Sequence, residues 1–591
     1  MRKGHEIDLN AHIAFKKITY LTYCFCFIVI STVMRSIWII KREVLVLIAC
    51  VCIFFSSAFA EGSKDFYPSG VQGNRAFLGS ATNNGALTAS SFPFITEGTH
   101  FAYVRAGESI TAASSVQNIS AGRIRFTAPD GTVYLSTTDN IGRIYQHAVN
   151  QPVAGLAAMA TNRASELAGA RIGYKPFERV ATAAQEGVWK IDFIAAASPA
   201  YGGLPSLAAD ANWSQGTNQL IAAWDVSVFA NTTTTTPISG RVYVNVFNLL
   251  IDDNFTNGGF YGTHYVLTKD GYSYKVSENG SNGVGFTFLV NNKGFTNGTN
   301  GSGTATYKSF NTVTGLSIKD PRTADNADAI THKIFYTKPN SQLPATANIQ
   351  GGSTWFVPAT TILPTASNIT FMGVEGSPTS LSSKGAYISF DSNITGTYKI
   401  IIPGNGNFVD RILTGPASQG ANTIFWDGKA GVSAANPVDP GNNLSSGNTN
   451  FDIKIQLFGG EVHFPFIDME SNPNGLIIEQ LTVDGNYNII PGSDVVYWDD
   501  SDITNTGTPA NPKVAKFPIN TISSNSNGHK FGAKPGAGLS DYGNNRALDT
   551  YTFVPGAESV KSVSVSINVA DLEVTSITTP ASQIRQGQQV Q

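Results

Sequence analysis

Short runs in which apolar and polar residues alternate recur along most of the chain. The segment 451–465, FDIKIQLFGGEVHFP, places Ile453, Ile455 and Leu457 on one face of an extended strand and charged or amide side chains on the other. The same period predicts strands within 100–115, 122–137, 186–196, 240–247, 263–277, 283–290, 331–337, 385–402 and 562–569. The pattern therefore predicts an all-β protein, with one short helix in the Ala-rich segment 153–170.

Composition supports this class. Only 14% of the 591 residues are charged, and the 58 glycines provide many turns between short strands. A chain of this length accommodates about three to five domains. We expect tandem Ig-like or β-sandwich domains after an N-terminal signal region. In the Gly/Asn/Thr-rich segment 291–306 we expect an exposed loop.

The first 60 residues resemble an export leader. A basic start after Met34, an apolar run over 44–55 and the small-x-small sequence Ala58-Phe59-Ala60 predict cleavage before Glu61, with Met34 as the true start. A second apolar run at 18–33 is either an upstream misreading of the gene or a membrane span, and we favour the misreading. The sequence LIAC at 47–50 leaves open a lipoprotein acylated on Cys50.

The positions of the cysteines and the net charge make several kinds of site and partner less probable on physical grounds. Cys24, Cys26, Cys50 and Cys52 are the only cysteines, so the chain after the leader has no disulfide framework and no cysteine nucleophile. The leader holds 7 of the 39 Lys and Arg residues and 3 of the 42 Asp and Glu residues, so 32 basic and 39 acidic residues remain. A net charge of −7 disfavours nucleic acid as a partner.

Turn signals and changes in composition predict the domain organisation. The expected segments are a leader at 1–60, an N-terminal β-sandwich at 61–215, a second β-domain at 216–344, an Ig-like module at 345–500, a loop-rich segment ending in a strand at 501–570, and the start of a truncated Ig-like module at 571–591.

Three stretches resemble modules of secreted bacterial proteins. The AGE, PDG and GVW sequences within 61–215 resemble β-sandwich modules of such proteins. The order from GAYISF through NTIFWDG to DIKIQLF resembles the Ig-like module of the flagellar hook-capping protein, and the last 21 residues resemble the first strand of an adhesion-type Ig-like module. The hook-capping resemblance implies that Trp426 packs over a sandwich core and that Asp427-Gly428 turns a hairpin. Together the resemblances imply a Bacteroidota-type surface protein.

Catalytic patterns are scarce in the sequence. The six histidines after the leader do not lie at metal-ligand spacing from one another, and G-x-S-x-G, P-loop and H-E-x-x-H motifs are missing, so we assign no catalytic or cofactor-binding residue. The candidate metal ligands are Asp499, Asp500 and Asp502, whose hard oxygen atoms suit Ca²⁺. Weaker calcium candidates are Asp252-Asp253 and the group Asn405, Asn407 and Asp410.

These observations favour a non-enzymatic exported protein on the surface of a Gram-negative bacterium, secreted or held at the outer cell surface. It would act as an adhesin or scaffold toward an extracellular protein or glycan, and would meet a membrane only through its leader or a neighbouring anchor. The alternative is a carbohydrate-binding region of a secreted polysaccharide-degrading enzyme, in which Trp355, Tyr497 and Trp498 would stack on sugars.

Overall fold

Strands dominate the computed structural model of the chain, which confirms the predicted all-β class. The structure describes residues 61–80, 93–148, 153–195, 206–216, 220–251, 258–358, 360–404, 408–504, 507–533 and 541–568. The predicted leader, Asp252-Asp253, Asn405, Asn407 and the predicted truncated module at 571–591 lie outside these residues.

The strands are short and are joined mostly by turns. Those before residue 360 are β1 (Glu61–Gly62), β2 (Phe77–Leu78), β3 (His100–Val104), β4 (Ser109–Ser114), β5 (Arg123–Thr127), β6 (Val133–Leu135), β7 (Phe177–Val180), β8 (Gly187–Ile194), β9 (Trp224–Phe229), β10 (Val242–Val244), β11 (Val246–Leu250), β12 (Thr263–Leu267), β13 (Ser273–Ser277), β14 (Phe286–Leu289), β15 (Lys333–Phe335), β16 (Thr346–Ile349) and β17 (Gly352–Trp355).

The later strands are β18 (Ala366–Gly373), β19 (Ser380–Ser382), β20 (Ala386–Ser392), β21 (Gly396–Ile402), β22 (Arg411–Ala417), β23 (Gly420–Trp426), β24 (Lys429–Ser433), β25 (Asn436–Asn443), β26 (Gly447–His463), β27 (Phe466–Ile467), β28 (Ile477–Leu481), β29 (Val495–Val496), β30 (Trp498–Asp499), β31 (Val514–Ala515), β32 (Ile522–Ser523), β33 (Ala547–Leu548), β34 (Tyr551–Pro555) and β35 (Ser559–Asn568).

Helices are short in the described part of the chain. They are α1 (Ser63–Phe66), α2 (Asn162–Ala168), α3 (Ser524–Asn527) and a 3₁₀ turn at Ala183–Gln185. The helix predicted within 153–170 is α2, which begins where Thr161 Oγ1 accepts the Ala164 N–H at 3.0 Å. It ends at Gly169, whose φ of 76° suits a residue without a side chain.

Three sheets enclose the main core of the protein. One has nine strands in the order β28-β13-β12-β15-β10-β3-β8-β5-β6, another has four in the order β1-β9-β4-β7, and the third has five in the order β2-β11-β14-β27-β33. Their inner faces share one apolar cluster that includes Trp189, Phe247 and Phe466. We call the described residues of 61–358 and 462–554 the large body.

The nine-stranded sheet corrects the predicted domain boundaries. β3 pairs with β10 across the predicted boundary at 215, and β13 pairs with β28 across the one at 344. Segments 61–215, 216–344 and part of 345–500 therefore build one sheet. Alternation predicts a strand but carries no information on which distant strand pairs with it.

A second core belongs to a smaller β-sandwich. The three-stranded sheet β18-β20-β23 packs on a sheet in the order β19-β35-β26-β21-β22. Ile388, Ile455 and Val563 meet in its core. We call residues 366–457 and 559–568 the small sandwich. It lies within the predicted Ig-like module at 345–500, but its last strand comes from the segment 501–570.

Strand β26 connects the two cores. Its first part, residues 447–455, pairs with β35 of the small sandwich, and its last part, residues 458–463, pairs with β34 of the large body. The chain then builds large-body strands up to residue 555 and returns through β35. The large body and the small sandwich are therefore interleaved in sequence.

The predicted exposed loop at 291–306 is partly wrong. Phe295 is fully buried and its ring centroid lies 5.5 Å from that of Phe310. Gly294, with a φ of 59°, turns the chain into this position. One aromatic side chain thus anchors a segment whose overall composition is that of a surface loop.

Candidate functional site

The Trp426-Asp427-Gly428 sequence forms a structural corner. Trp426 is fully buried, its indole lies 5.7 Å from the Phe451 ring in an edge-on arrangement, and its Nε1 donates to the Lys429 carbonyl at 2.9 Å. The core position predicted for Trp426 is confirmed. The predicted hairpin is wrong, because β23 pairs with β20 whereas β24 pairs with β25, so Asp427-Gly428 directs the chain from one sheet to another.

The three predicted calcium ligands have separate protein partners. Asp499 Oδ1 accepts the Ser501 N–H at 2.9 Å, Asp500 is fully buried, and Asp502 lies at the surface with Lys308 Nζ at 2.8 Å. Among the described residues, no group of three or more His, Cys, Asp or Glu side chains is placed to hold a metal ion. Calcium binding stays a prediction to which this arrangement adds no support.

Asp410, the described member of a weaker calcium group, also has a hydrogen-bond partner nearby in the chain. Its Oδ1 accepts the Gly404 N–H at 2.6 Å. This hydrogen bond lies immediately before β22, which begins at Arg411.

A buried charged pair lies at the end of β26. His463 Nδ1 and Asp549 Oδ2 are 2.8 Å apart, and His463 Nε2 lies 2.8 Å from Glu461 Oε1. Burial opposes protonation of His463, but the two carboxylates outweigh it and raise the pKa of His463 to about 9. The imidazolium donates to both carboxylates at neutral pH, and the Tyr307 hydroxyl donates to Glu461 at 3.1 Å.

A second histidine–aspartate pair lies close by in the fold. His529 Nε2 lies 2.9 Å from Asp500 Oδ2, and His529 Nδ1 lies 2.8 Å from Thr550 Oγ1. The Trp498 indole stacks on the His529 ring at 4.7 Å. Asp500 Oδ1 accepts from Ser309 Oγ at 2.6 Å.

Ser309 joins the two pairs. Its Oγ accepts the Asp549 N–H at 3.1 Å while donating to Asp500. The side chains of His463, Asp549, His529 and Asp500 are at most 1% exposed, so the network reaches solvent through Glu461, whose side chain is 26% exposed. The hydrogen bonds of this network link β26, β30, β34 and the segments that connect them. Their donors and acceptors are groups of the protein itself.

The aromatic residues predicted to stack on sugars are covered by the protein itself. Trp498 and Tyr497 are buried at 0% and 3% exposure. Trp355 is partly buried, with Lys333 Nζ 3.8 Å from its ring and its own Nε1 donating to Asp325 at 2.9 Å. The prediction that these three rings form an open sugar platform is wrong, because each already has a partner within the protein.

A cleft of about 280 Å³ opens beside β3 in the large body. Its lining includes the apolar side chains of Phe101 and Val246 and the charged side chains of Lys190 and Arg322. Arg322 forms a two-point ion pair with Asp320, and Lys190 lies 3.2 Å from Asp192. Both cations that line the cleft are therefore already paired within the protein.

The small sandwich carries an exposed apolar row, which we call the outer ladder. Met372, Tyr387 and Phe425 face one another across β18, β20 and β23, and are 42%, 42% and 51% exposed. The Tyr387 and Phe425 rings lie 5.7 Å apart. On the next row, Ser389 and Thr423 share a hydroxyl hydrogen bond at 2.9 Å. An aromatic row beside a hydroxyl row provides both apolar and hydrogen-bonding contacts for a partner.

Sequence reasoning missed the buried network because its members lie far apart in the chain. His463 and Asp549 are 86 residues apart, and His529 and Asp500 are 29 residues apart. The one local signal is the alternation of Glu461 and His463, which places both side chains on the same face of β26.

Comparisons with known proteins give little further information. No family model matches the chain, and no curated protein is similar to it. One similar solved structure is the crystal structure of a DUF4785 family protein from Legionella pneumophila, at 9% identity over 63% of this chain and 81% of that chain. Its TM-score of 0.12 is too low to carry an argument about fold or function. Within the described residues, no helix is long and apolar enough to cross a membrane.

Proposed function

We propose that this chain is a non-enzymatic, exported bacterial surface protein that acts as an adhesin-like or structural scaffold. The observation that supports a scaffold most directly is the interleaving of the two cores. Three chain connections, between β17 and β18, within β26 and between β34 and β35, join the small sandwich to the large body. Three connections restrict relative rotation far more than a single linker does, as suits a protein that holds a binding face away from a cell.

Export is tested on cells that produce the full chain. We expect mild protease treatment of intact cells to release its peptides, and mass spectrometry of the exported form to find Glu61 at the N-terminus. A chain found only in the cytosol contradicts the proposal. A lipid-modified Cys50 at the N-terminus replaces cleavage before Glu61 with the lipoprotein alternative.

The scaffold itself is tested by the distance between its two parts. Spin labels on exposed positions of the large body and of β25 should give one narrow distance distribution in the exported protein. A broad distribution, as a flexible linker produces, contradicts the rigid connection.

The outer ladder favours carbohydrate binding as a second candidate function. Tyr387 and Phe425 expose aromatic surface beside Ser389 and Thr423, a combination that contacts both the apolar face and the hydroxyls of a sugar. We expect Tyr387→Ala together with Phe425→Ala to abolish any retention of the protein on immobilised polysaccharides. Val560→Ala, at another exposed apolar position, is the control.

A further inference from the structure

Residue Glu61 begins β1 in a buried position. It is 1% exposed and pairs with Val226 of β9. Its carboxylate accepts three backbone N–H groups, from Gly240 at 2.9 Å, Arg241 at 3.0 Å and Val242 at 3.1 Å. The residue that follows the predicted cleavage site is therefore an integral part of the large body.

Two further carboxylates lie beside this strand. Asp65 Oδ2 accepts the Gly62 N–H at 2.9 Å, and Asp225 faces Gly62 across the β1–β9 ladder. Asp225 is 3% exposed, and its Oδ1 accepts from Ser227 Oγ at 2.7 Å. Its Oδ2 is also buried, and the Tyr174 hydroxyl beside it lowers the pKa of Asp225 without supplying a positive charge. We call Glu61, Asp65 and Asp225 the acidic cluster.

The acidic cluster has too few cations beside it to keep all three of its carboxyl groups ionised. Burial raises the pKa of Glu61 and of Asp65 to about 8, and it raises the pKa of Asp225 as well. Lys64 acts on Asp65 and Asp225, whereas Glu166 adds to the negative potential at Asp225. A buried carboxylate without a nearby positive charge is costly, so the cluster favours an additional cation.

We propose that cleavage of the Ala60–Glu61 bond supplies that cation, so that the new α-ammonium group of Glu61 becomes a structural partner of the acidic cluster. In this hydrolysis, catalysed by a signal peptidase, water adds across the peptide bond. The C–N bond breaks, Ala60 leaves with a carboxylate, and the Glu61 nitrogen takes up protons to become an ammonium. The inference rests on the export proposed above and adds that processing completes the fold.

Backbone geometry places the new charge close to its partners. Consecutive backbone nitrogens lie within roughly 3.7 Å of each other, so the Glu61 nitrogen lies within roughly 7 Å of Asp65 Oδ2. Asp225 is paired with the next residue, Gly62, at the roughly 4.5–5.5 Å Cα separation of an antiparallel pair. An ion pair at such distances is substantial in a buried site because solvent screens it poorly.

The test compares two recombinant chains that differ by one residue. Each is released from a removable fusion, so that one begins at Glu61 and the other at Ala60, and Asp225→Asn is made in both. Thermal unfolding gives the melting temperature of all four proteins at pH 7. Because the chains are made without export, the result is independent of the localisation experiment.

The proposal predicts that Asp225→Asn has different effects in the two chains. In the chain that begins at Glu61, Asp225→Asn removes a partner of the ammonium and should lower the melting temperature by about 2–4 °C. In the chain that begins at Ala60 the ammonium lies one residue farther along the chain from the acidic cluster, so the same substitution should lower the melting temperature less, leave it unchanged or raise it. Equal shifts in both chains would overturn the proposal.

Two further variants serve as a control and as a replacement in this test. Asp439→Asn, which changes a carboxylate of the small sandwich, should shift both chains equally and so controls for net charge. If Asp225→Asn does not fold, Asp65→Asn replaces it with the same expected difference between the chains. A melting temperature that does not depend on whether the parent begins at Glu61 or Ala60 also overturns the proposal.

Discussion

The large body and the small sandwich differ in what their interiors contain. Of the buried polar and charged residues that the structure describes, Ser392 and Arg411 belong to the small sandwich, and the others lie in the large body or beside it. The large body buries ion pairs such as Arg75–Glu166, with 2.9 Å between Nη2 and Oε2, and the His463–Asp549 pair. The core of the small sandwich is therefore built almost entirely from alternating apolar residues, whereas the core of the large body also depends on paired charges.

This difference predicts that the two regions are destabilised by different kinds of substitution. The small sandwich should respond most to lost volume, because its core is almost entirely apolar. The large body should respond most to a charge left without its partner, because a buried ion is costly alone. Matched pairs of variants, one buried and one exposed, separate these effects.

The largest effect is expected from Trp426→Ala in the small sandwich. Truncation leaves a cavity in a core where the indole is fully buried, and we expect a loss of about 3–5 kcal/mol of unfolding free energy. The neighbouring Phe425→Ala is the control, because that ring is 51% exposed and its loss should change stability by about 0.5 kcal/mol or less. Chemical denaturation measures both. Equal losses would contradict the core position of Trp426.

The next effect is expected from Asp549→Asn in the large body. The substitution leaves the His463 imidazolium with one carboxylate in a buried site, and we expect a loss of about 3 kcal/mol. Asp502→Asn breaks the exposed pair with Lys308 and should cost less than about 1 kcal/mol. If the two substitutions cost the same, the buried network does not stabilise the large body as we propose.

The pH dependence of stability provides a third prediction. The pKa of His463 in the folded protein, about 9, exceeds its ordinary value of 6.5. Its contribution is therefore complete below pH 6.5 and is lost as the pH rises through 9. Unfolding of the parent and of His463→Gln, measured from pH 6 to 10, should show the parent's advantage shrinking over this window. An advantage that grows with pH contradicts a charged His463.

The parent must be compared with His463→Gln because Lys333 changes the stability of the folded protein with pH in the opposite direction. Burial lowers the pKa of Lys333 to about 7, so its contribution increases as the pH rises from about 7 toward the ordinary lysine value of 10.5. Both proteins contain Lys333, so its effect cancels in the difference.

The smallest effect is expected from Gly428→Ala at the corner. Gly428 has a φ of +70°, which costs an alanine about 1 kcal/mol, although the space around it is sufficient. Gly352→Ala is the control, because a side chain at Gly352 meets no atom within 4 Å and its φ is not in the left-handed region. Denaturation of the two variants side by side should show a loss for Gly428→Ala alone.

The sequence predicted the parts of the fold that depend on local pattern. In β26, Phe451, Ile453, Ile455 and Leu457 are buried as alternation requires, and the same holds for Val563 in β35. An alternation with a period of two residues is visible in the sequence without knowing which strands pair with one another. The all-β class followed from such local features, whereas the core position of Trp426 followed from the resemblance to the hook-capping module.

Pairing between distant segments was beyond this reasoning. β26 and β35 are adjacent in the sheet, yet the large-body residues 464–554 separate them in the chain, so the domain boundaries were misplaced. The sequence predicts Tyr497 and Trp498 as exposed rings that stack on sugars, whereas both are buried and the nearby Asp500 is itself buried against His529. Whether an acidic run lies at the surface depends on partners that the local sequence does not contain.

Hydrogen exchange of the Trp426→Ala protein, followed by mass spectrometry, tests the interleaved arrangement most directly. We expect exchange to rise together in 366–457 and 559–568, although about 100 residues separate these segments, while strands β3, β8 and β12 of the large body stay protected. Increased exchange limited to 366–457, with β35 still protected, would contradict the assignment of both segments to one sandwich.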